Sequence, residues 1–178
     1  EKLGEFRAKQ PGFVGESFHP IVGYAANGAV VHYHVTPELA ATLQPDSLLL
    51  FDSGGQYQWG TTDITRTVPL TSEPTAQMKT DFTLVLKGVI GLTSIQFPNG
   101  TLGCHLDVLA RKAMWERGLN YGHGTGHGVG AFLNVHEGPM SIRGDVNKQL
   151  IVPGMVMSNE PGLYRTNSYG LRIENMMV

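Results

Sequence analysis

Ser47-Leu-Leu-Leu-Phe-Asp52-Ser-Gly-Gly-Gln-Tyr57-Gln-Trp-Gly-Thr-Thr-Asp63-Ile-Thr-Arg-Thr67-Val-Pro-Leu70 is the stretch that decides the fold. Ser47–Phe51 is an apolar run of strand length, and Thr61–Leu70, rich in Thr, Ile and Val, reads as its returning partner. Asp52 and Asp63 lie equally far from Tyr57-Gln58, where the turn is expected. Residues equidistant from a hairpin turn face each other, so both carboxylates are expected on one face. The plan repeats in Met155–Glu160 and Gly170–Val178, with a turn at Arg165–Tyr169 and with Glu160 and Glu174 centred on Asn167.

Two such hairpins side by side bring four carboxylates together. Like charges that close raise each other's pKa and do not all stay ionised without compensation. Two divalent cations would cancel them. Taken singly, each Asp or Glu reads more simply as a solvated surface charge. The set and its settings argue otherwise: Asp52 ends an apolar strand, Glu160 precedes Pro161-Gly162, and Glu174 follows Ile173. A strand leaving the core is a poor place for an unpaired charge. His127 lies in His123-Gly-Thr-Gly-His127-Gly-Val-Gly130, where the glycines leave an imidazole accessible. That run lacks the Lys of a P-loop, which disfavours phosphate.

Outward from these hairpins, residues 1–9 read as the end of a helix stopped by Pro11-Gly12, and Ile21–Tyr33 as a hairpin broken at Asn27-Gly28. Pro37–Pro45 is a loop. A helix capped by Thr71 or Ser72, with Pro74 in its first turn, carries Met78, Phe82, Val85, Leu86, Val89 and Ile90 at helical spacing. A second helix covers about Leu102–Arg117 and stops at Gly118. Tyr121–Gly130 is too rich in glycine for a helix or strand interior. Both halves follow one plan, with no residue-level repeat and no low-complexity linker. The expectation is one α+β domain, 1–178, of two similar lobes.

Composition bounds the function. With 41% hydrophobic and 16% charged residues the chain suits a packed domain rather than a disordered one. A net charge of −2 without a basic run argues against a nucleic-acid partner. Neither a long apolar run nor a signal-peptide core is seen, so no membrane partner and a cytoplasmic setting are expected. The first residue is Glu1 and not an initiator Met. The single Cys104 reads as a small helix residue rather than a nucleophile.

At these residues the sequence resembles the pita-bread metallopeptidases, and within them the Xaa-Pro aminopeptidase and prolidase branch. The matching segments are Asn27-Gly-Ala-Val-Val-His-Tyr33, Asp52-Ser-Gly-Gly-Gln-Tyr57, Gly60-Thr-Thr-Asp-Ile-Thr-Arg-Thr67, His123-Gly-Thr-Gly-His-Gly-Val-Gly130, Asn134-Val-His-Glu-Gly-Pro139, Ser158-Asn-Glu-Pro-Gly162 and Gly170-Leu-Arg-Ile-Glu-Asn175. Thr-Arg-Thr after Asp63 and the Asn134 segment point to the proline-directed branch; methionine aminopeptidases share the five-ligand logic but not these flanks.

The resemblance implies a pita-bread fold with a curved antiparallel sheet, and two metal ions. Asp63 and Glu174 would bridge them, Asp52 would complete one site, and His127 and Glu160 the other. One imidazole and four carboxylates favour Mn²⁺, with Co²⁺, Fe²⁺ or Zn²⁺ as alternatives. A hydroxide shared by the two metals would attack the scissile carbonyl, with Glu160 as proton shuttle. His32, His123 and His136 would hydrogen bond the tetrahedral intermediate and the substrate carbonyls. Arg172 would partner the metal-site carboxylates, whereas His19, His34 and His105 match no motif and are left structural. The implied partner is a peptide with a free N-terminus and proline second, and a homodimer is expected of the longer enzyme. Tyr57, Trp59 and Phe132 are weak candidates for the proline pocket. The alternatives are a prolidase cutting Xaa-Pro dipeptides and a catalytically inactive binding module. Family domains carry more helix before residue 1 and continue past Glu174, so a piece cut at both ends is expected.

Overall fold

A computed structural model describes residues 2–178. The first half holds α1 (Lys2–Arg7), β1 (Phe13–Glu16), β2 (Ile21–Tyr24), a 3-10 turn (Ala25–Ala29), β3 (Leu48–Ser53), β4 (Gly55–Tyr57), β5 (Gly60–Thr61) and β6 (Ile64–Pro69). Two helices follow, α2 (Ala76–Thr93) and α3 (Gly103–Trp115). The second half holds β7 (Gly126–His127), β8 (Ser141–Ile142), β9 (Met157–Asn159), β10 (Gly162–Arg165), β11 (Tyr169–Arg172) and β12 (Asn175–Met177). Every strand pairing is antiparallel: β2-β3-β6, β1-β4-β5, β7-β8, β9-β12 and β10-β11. This is the expected α+β arrangement, each half supplying a long helix and carboxylate-bearing strands. No helix of the described residues is long and apolar enough to cross a membrane.

The apolar run of β3 places Leu48 and Leu50 in the interior. One core joins Leu48 to Leu84, Val85, Val89, Met114, Leu163 and Leu171; a second gathers Leu92, Leu106, Ala110, Ile142, Ile151 and Met157. Each Leu, Ile, Val or Met among them contributes about 1.5–3 kcal/mol by leaving water. Of the apolar residues noted on α2, Val85 and Val89 are buried, while Phe82, Leu86 and Ile90 face outward. The buried stripe is completed by Asp81, Leu84, Gly88 and Leu92 instead. A Cβ on Gly88 would lie 2.3 Å from the Ala110 carbonyl oxygen, so glycine sets how closely α2 approaches α3.

Four local expectations are corrected. Asn27-Gly28 is not a hairpin turn: β2 pairs with β3, and Gly28 packs against Gly170 of β11, whose Cβ would meet the Gly28 oxygen at 1.7 Å. The cap of α2 is Thr75, which accepts a hydrogen bond from the Met78 N–H at 3.1 Å; Thr71 is engaged with the Glu73 N–H. A two-residue strand, β7, forms inside the glycine-rich run. The long strands expected at Met155–Glu160 and Gly170–Val178 are each shorter or interrupted, and the break beyond β9 falls at Pro161, which has no N–H to donate. Gly118 does end α3, with φ +68° and its N–H on the Trp115 carbonyl.

Candidate metal centre

The β3–β6 register sets Asp52 opposite Thr65, not opposite Asp63. Asp63 lies two residues away, a diagonal neighbour on the same face. The turn is the two residues Gln58-Trp59 between paired Tyr57 and Gly60, one residue from where it was expected. In the second half, Asn159 pairs with Asn175 and Gly162 with Arg172, so Glu160 and Glu174 fall at opposed positions, as expected from their spacing. The Glu174 N–H donates to the Thr65 carbonyl at 3.2 Å, joining the two halves at their carboxylates. His127 sits in β7, its N–H on Ser158 Oγ at 3.0 Å. With Nδ1–H donated to the Gly128 carbonyl (2.9 Å), Nε2 faces Glu160 Oε1 at 3.2 Å and Asp63 Oδ2 at 3.4 Å.

Asp63, His127 and Glu174 each offer an atom within 4.8 Å of the others. Asp52 Oδ1, Asp63 Oδ1 and Glu174 Oε1 are buried with no hydrogen-bond partner among the described residues. Buried oxygens without donors are costly. Their convergence with an imidazole is the chemistry of a divalent-metal donor set, so the residues fit the two ions the resemblance implies. The electrostatics agree. Burial, then the charges of Glu160, Asp63 and Asp52, holds the Glu174 carboxyl well above the carboxylate range. Burial raises Asp52 to about 6 against the opposing pull of Arg172. Burial disfavours a charged His127, but hydrogen bonds to Asp63 and Glu160 outweigh it and raise the imidazole to about 10. Burial would raise Glu160; the hydrogen bond and charge of His127 outweigh that and lower it.

Asp52, Asp63, His127 and Glu160 open onto a cavity of about 440 Å³ also lined by His32, His123 and His136 and by the apolar Phe18, Ile21, Val31 and Val135. His136 stands edge-on to His127, ring centres 4.3 Å apart. His32 and His136 are exposed at the cavity, and His123 is half-buried. Arg172 is 2% exposed; Nη2 donates to Asp52 Oδ2 at 2.8 Å and Nε to Thr65 Oγ1 at 3.2 Å. Tyr57, Trp59 and Phe132 do not line this cavity, and Trp59 is 74% exposed at a hairpin tip. His19 and His34 stack on each other, and His105 Nδ1 accepts from the Leu102 N–H at the start of α3.

Three residues were missed by sequence reasoning. Tyr164 OH accepts from Arg172 Nη1 at 2.9 Å and lies 2.8 Å from His123 Nε2. Thr65 Oγ1 donates to Glu174 Oε2 at 2.7 Å, and Ser158 Oγ to Glu160 Oε1 at 3.1 Å. Thr65 and Ser158 had a readable signal: each stands two residues from a carboxylate, on the same face of a strand. Tyr164 had none.

A family model described as metallopeptidase family M24 matches residues 1–178. The chain is 52% identical to Aminopeptidase P2 of Arabidopsis thaliana over 178 residues, covering 99% of this chain and 25% of that protein. It is 51% identical to a probable Xaa-Pro aminopeptidase P of Botryotinia fuckeliana, covering 100% of this chain and 27% of the relative. Among solved structures it is similar to an X-prolyl aminopeptidase of Caenorhabditis elegans, described as a cytosolic enzyme with a di-nuclear active site. That match has a TM-score of 0.92 at 40% identity over 98% of this chain and 28% of that one. A prolidase of Thermococcus sibiricus matches with a TM-score of 0.83 at 29% identity, over 98% of this chain and 46% of that one. The chain thus spans about a quarter of the length of the curated relatives it matches.

Proposed function

The chain belongs to metallopeptidase family M24 and has its pita-bread fold, and from that premise we propose that it is the catalytic unit of a dinuclear Xaa-Pro aminopeptidase. The observation that carries this is the convergence of Asp63, His127 and Glu174, with three donorless carboxylate oxygens, beneath a cavity lined by three further histidines. Asp52, Asp63, His127, Glu160 and Glu174 would hold the two ions. Mn²⁺ suits so oxygen-rich a set, with Co²⁺, Fe²⁺ or Zn²⁺ as alternatives. Bound there, two divalent ions supply Lewis acidity toward the scissile carbonyl and a water acidic enough to lose its proton near neutrality.

The chain's own residues do the rest. Glu160 lines the cavity, its Oε1 3.2 Å from His127 Nε2. It takes a proton from the attacking water and delivers it to the leaving nitrogen. His32 and His136 stand at the cavity to hydrogen bond the substrate carbonyls and the developing oxyanion. Arg172 holds Asp52 in place, and Tyr164 ties Arg172 to His123. Proline brings a fixed φ and no N–H; the wall of Phe18, Ile21, Val31 and Val135 is where its ring would lie. The Caenorhabditis elegans likeness supports a cytoplasmic setting. A homodimer of the longer protein belongs to the same reading.

The test is hydrolysis of Xaa-Pro-Yaa peptides after Mn²⁺ loading; no release of Xaa from a metal-loaded protein overturns it. The likeness to a prolidase carries a second reading, Xaa-Pro dipeptidase. Cleavage of Xaa-Pro dipeptides but not tripeptides would select it. Failure to retain metal would favour an inactive binding module.

A further inference from the structure

Arg111 of α3 is a buried cation that bonds no candidate metal ligand and does not itself line the cavity. Its hydrogen bonds go to Asp107 and to the loop that carries His123. Nε donates to Asp107 Oδ2 at 2.7 Å, Nη1 to Asn120 Oδ1 at 2.9 Å and the Tyr121 carbonyl at 2.7 Å, and Nη2 to the His123 carbonyl at 2.7 Å. The guanidinium also lies over the Tyr121 ring at 3.9 Å, and that ring stands 4.9 Å from the His123 ring. The other Asp107 oxygen accepts from Thr125 Oγ1 at 2.5 Å, and Thr125 Oγ1 also bonds Tyr121 OH. Thr125, fully buried, donates its N–H to the Ile142 carbonyl and accepts from the Glu160 N–H, each at 2.8 Å. Residues 120–125 belong to no strand or helix, so this loop takes its shape from Arg111 and Thr125.

A buried ion pair is weak evidence for stability, because apolar residues fill such a space as well. A rigid planar fork serving two carbonyls and a side-chain amide is a geometric specification. We infer that Asp107, Arg111 and Thr125 form a positioning device for His123: α3 sets where that imidazole stands in the cavity, without itself touching substrate. This rests on the peptidase reading of the cavity. A displacement of about 1 Å in such a group costs on the order of a hundredfold in rate.

The test compares Arg111→Lys, Thr125→Val and Thr125→Ser with wild type, each folded and loaded with Mn²⁺ for kinetics and with diamagnetic Zn²⁺ for NMR. Two readouts are taken: kcat and KM on an Xaa-Pro-Yaa peptide, and the ¹⁵N shifts of the His123 imidazole. In wild type His123 Nδ1 carries the proton it donates to the Gly124 carbonyl at 2.8 Å. Arg111→Lys and Thr125→Val are expected to lower kcat tenfold or more with KM changed less than threefold, and to move the His123 resonances. Thr125→Ser, which keeps the hydroxyl, is expected to restore both. Unmoved resonances with kcat within twofold of wild type overturn the inference. If wild type is inactive the peptidase reading fails, and the His123 resonances alone decide this one. If Arg111→Lys does not fold, the Thr125 pair decides on the same criteria.

Discussion

Asp81→Ala should weaken the fold while leaving the metal centre loaded. Asp81 is fully buried on α2 and accepts four hydrogen bonds: from Arg165 Nε and Nη2 at 2.9 Å each, Gln77 Nε2 at 2.8 Å and Tyr169 OH at 2.7 Å. The substitution leaves the Tyr169 hydroxyl buried without an acceptor, which costs about 1–3 kcal/mol. Arg165, with a third of its side chain exposed, recovers water, so its share is small after screening. The total is about 3 kcal/mol, or a fall in Tm of about 6–12 °C for a chain of this length. Asp81→Asn keeps the volume and one acceptor and should lose about half as much. The pH dependence fixes the sign. Burial raises the Asp81 carboxyl, but the hydrogen bonds of Arg165, Tyr169 and Gln77 outweigh it, so its folded pKa is lowered. Its stabilisation is therefore complete above the unfolded value near ~3.9 and is lost as pH falls through the folded value. Urea unfolding should show a constant gap between wild type and Asp81→Asn above about pH 5 that closes below about pH 4. An Asp81→Ala protein within about 0.5 kcal/mol of wild type at neutral pH, or a gap that widens on acidification, refutes the reasoning.

Glu174→Gln removes a charge from the proposed donor set and should leave no more than one metal per chain by elemental analysis after loading; two retained ions would contradict the ligand assignment. Metal must displace the protons that burial and neighbouring charges hold on Glu174 and on Asp52 (about 6), and the proton that the hydrogen bonds of Asp63 and Glu160 hold on His127 (about 10). Affinity should therefore rise from about pH 6 towards about pH 10, with proton release seen by calorimetry in buffers of different ionisation enthalpy. A pH-independent affinity would count against this. Gly88→Ala places a methyl 2.3 Å from the Ala110 oxygen, and its overpacking of about 1–3 kcal/mol should exceed the gain of about 1 kcal/mol in helix propensity. Urea midpoints equal to or above wild type would show that α2 moves off α3 at no cost.

The clustering of the four candidate carboxylates was legible in the sequence because each sits where a local rule operates. A turn misplaced by one residue shifts a strand partner by two, and the side-chain period is also two. That is why Asp52 and Asp63 were read as opposed, are diagonal, and still share a face. Asn27-Gly28 shows the reverse: its dipeptide signals a hairpin, but contact with Gly170, far along the chain, overrides it. The charged networks stayed hidden for the same reason. Asp107 and Arg111 are four apart on a helix, a spacing that reads as a solvated surface pair, yet both are buried. Asp81 falls on the buried face of α2, where the apolar pattern leaves no place for it. Their partners, Thr125 and His123 for the pair, Arg165 and Tyr169 for Asp81, come from other elements. A buried polar residue carries no periodic mark of its own, because what satisfies it is chosen by packing. The candidate ligands, at the ends of strands, needed no such knowledge; the residues that bond the His123 loop and the β10–β11 hairpin did.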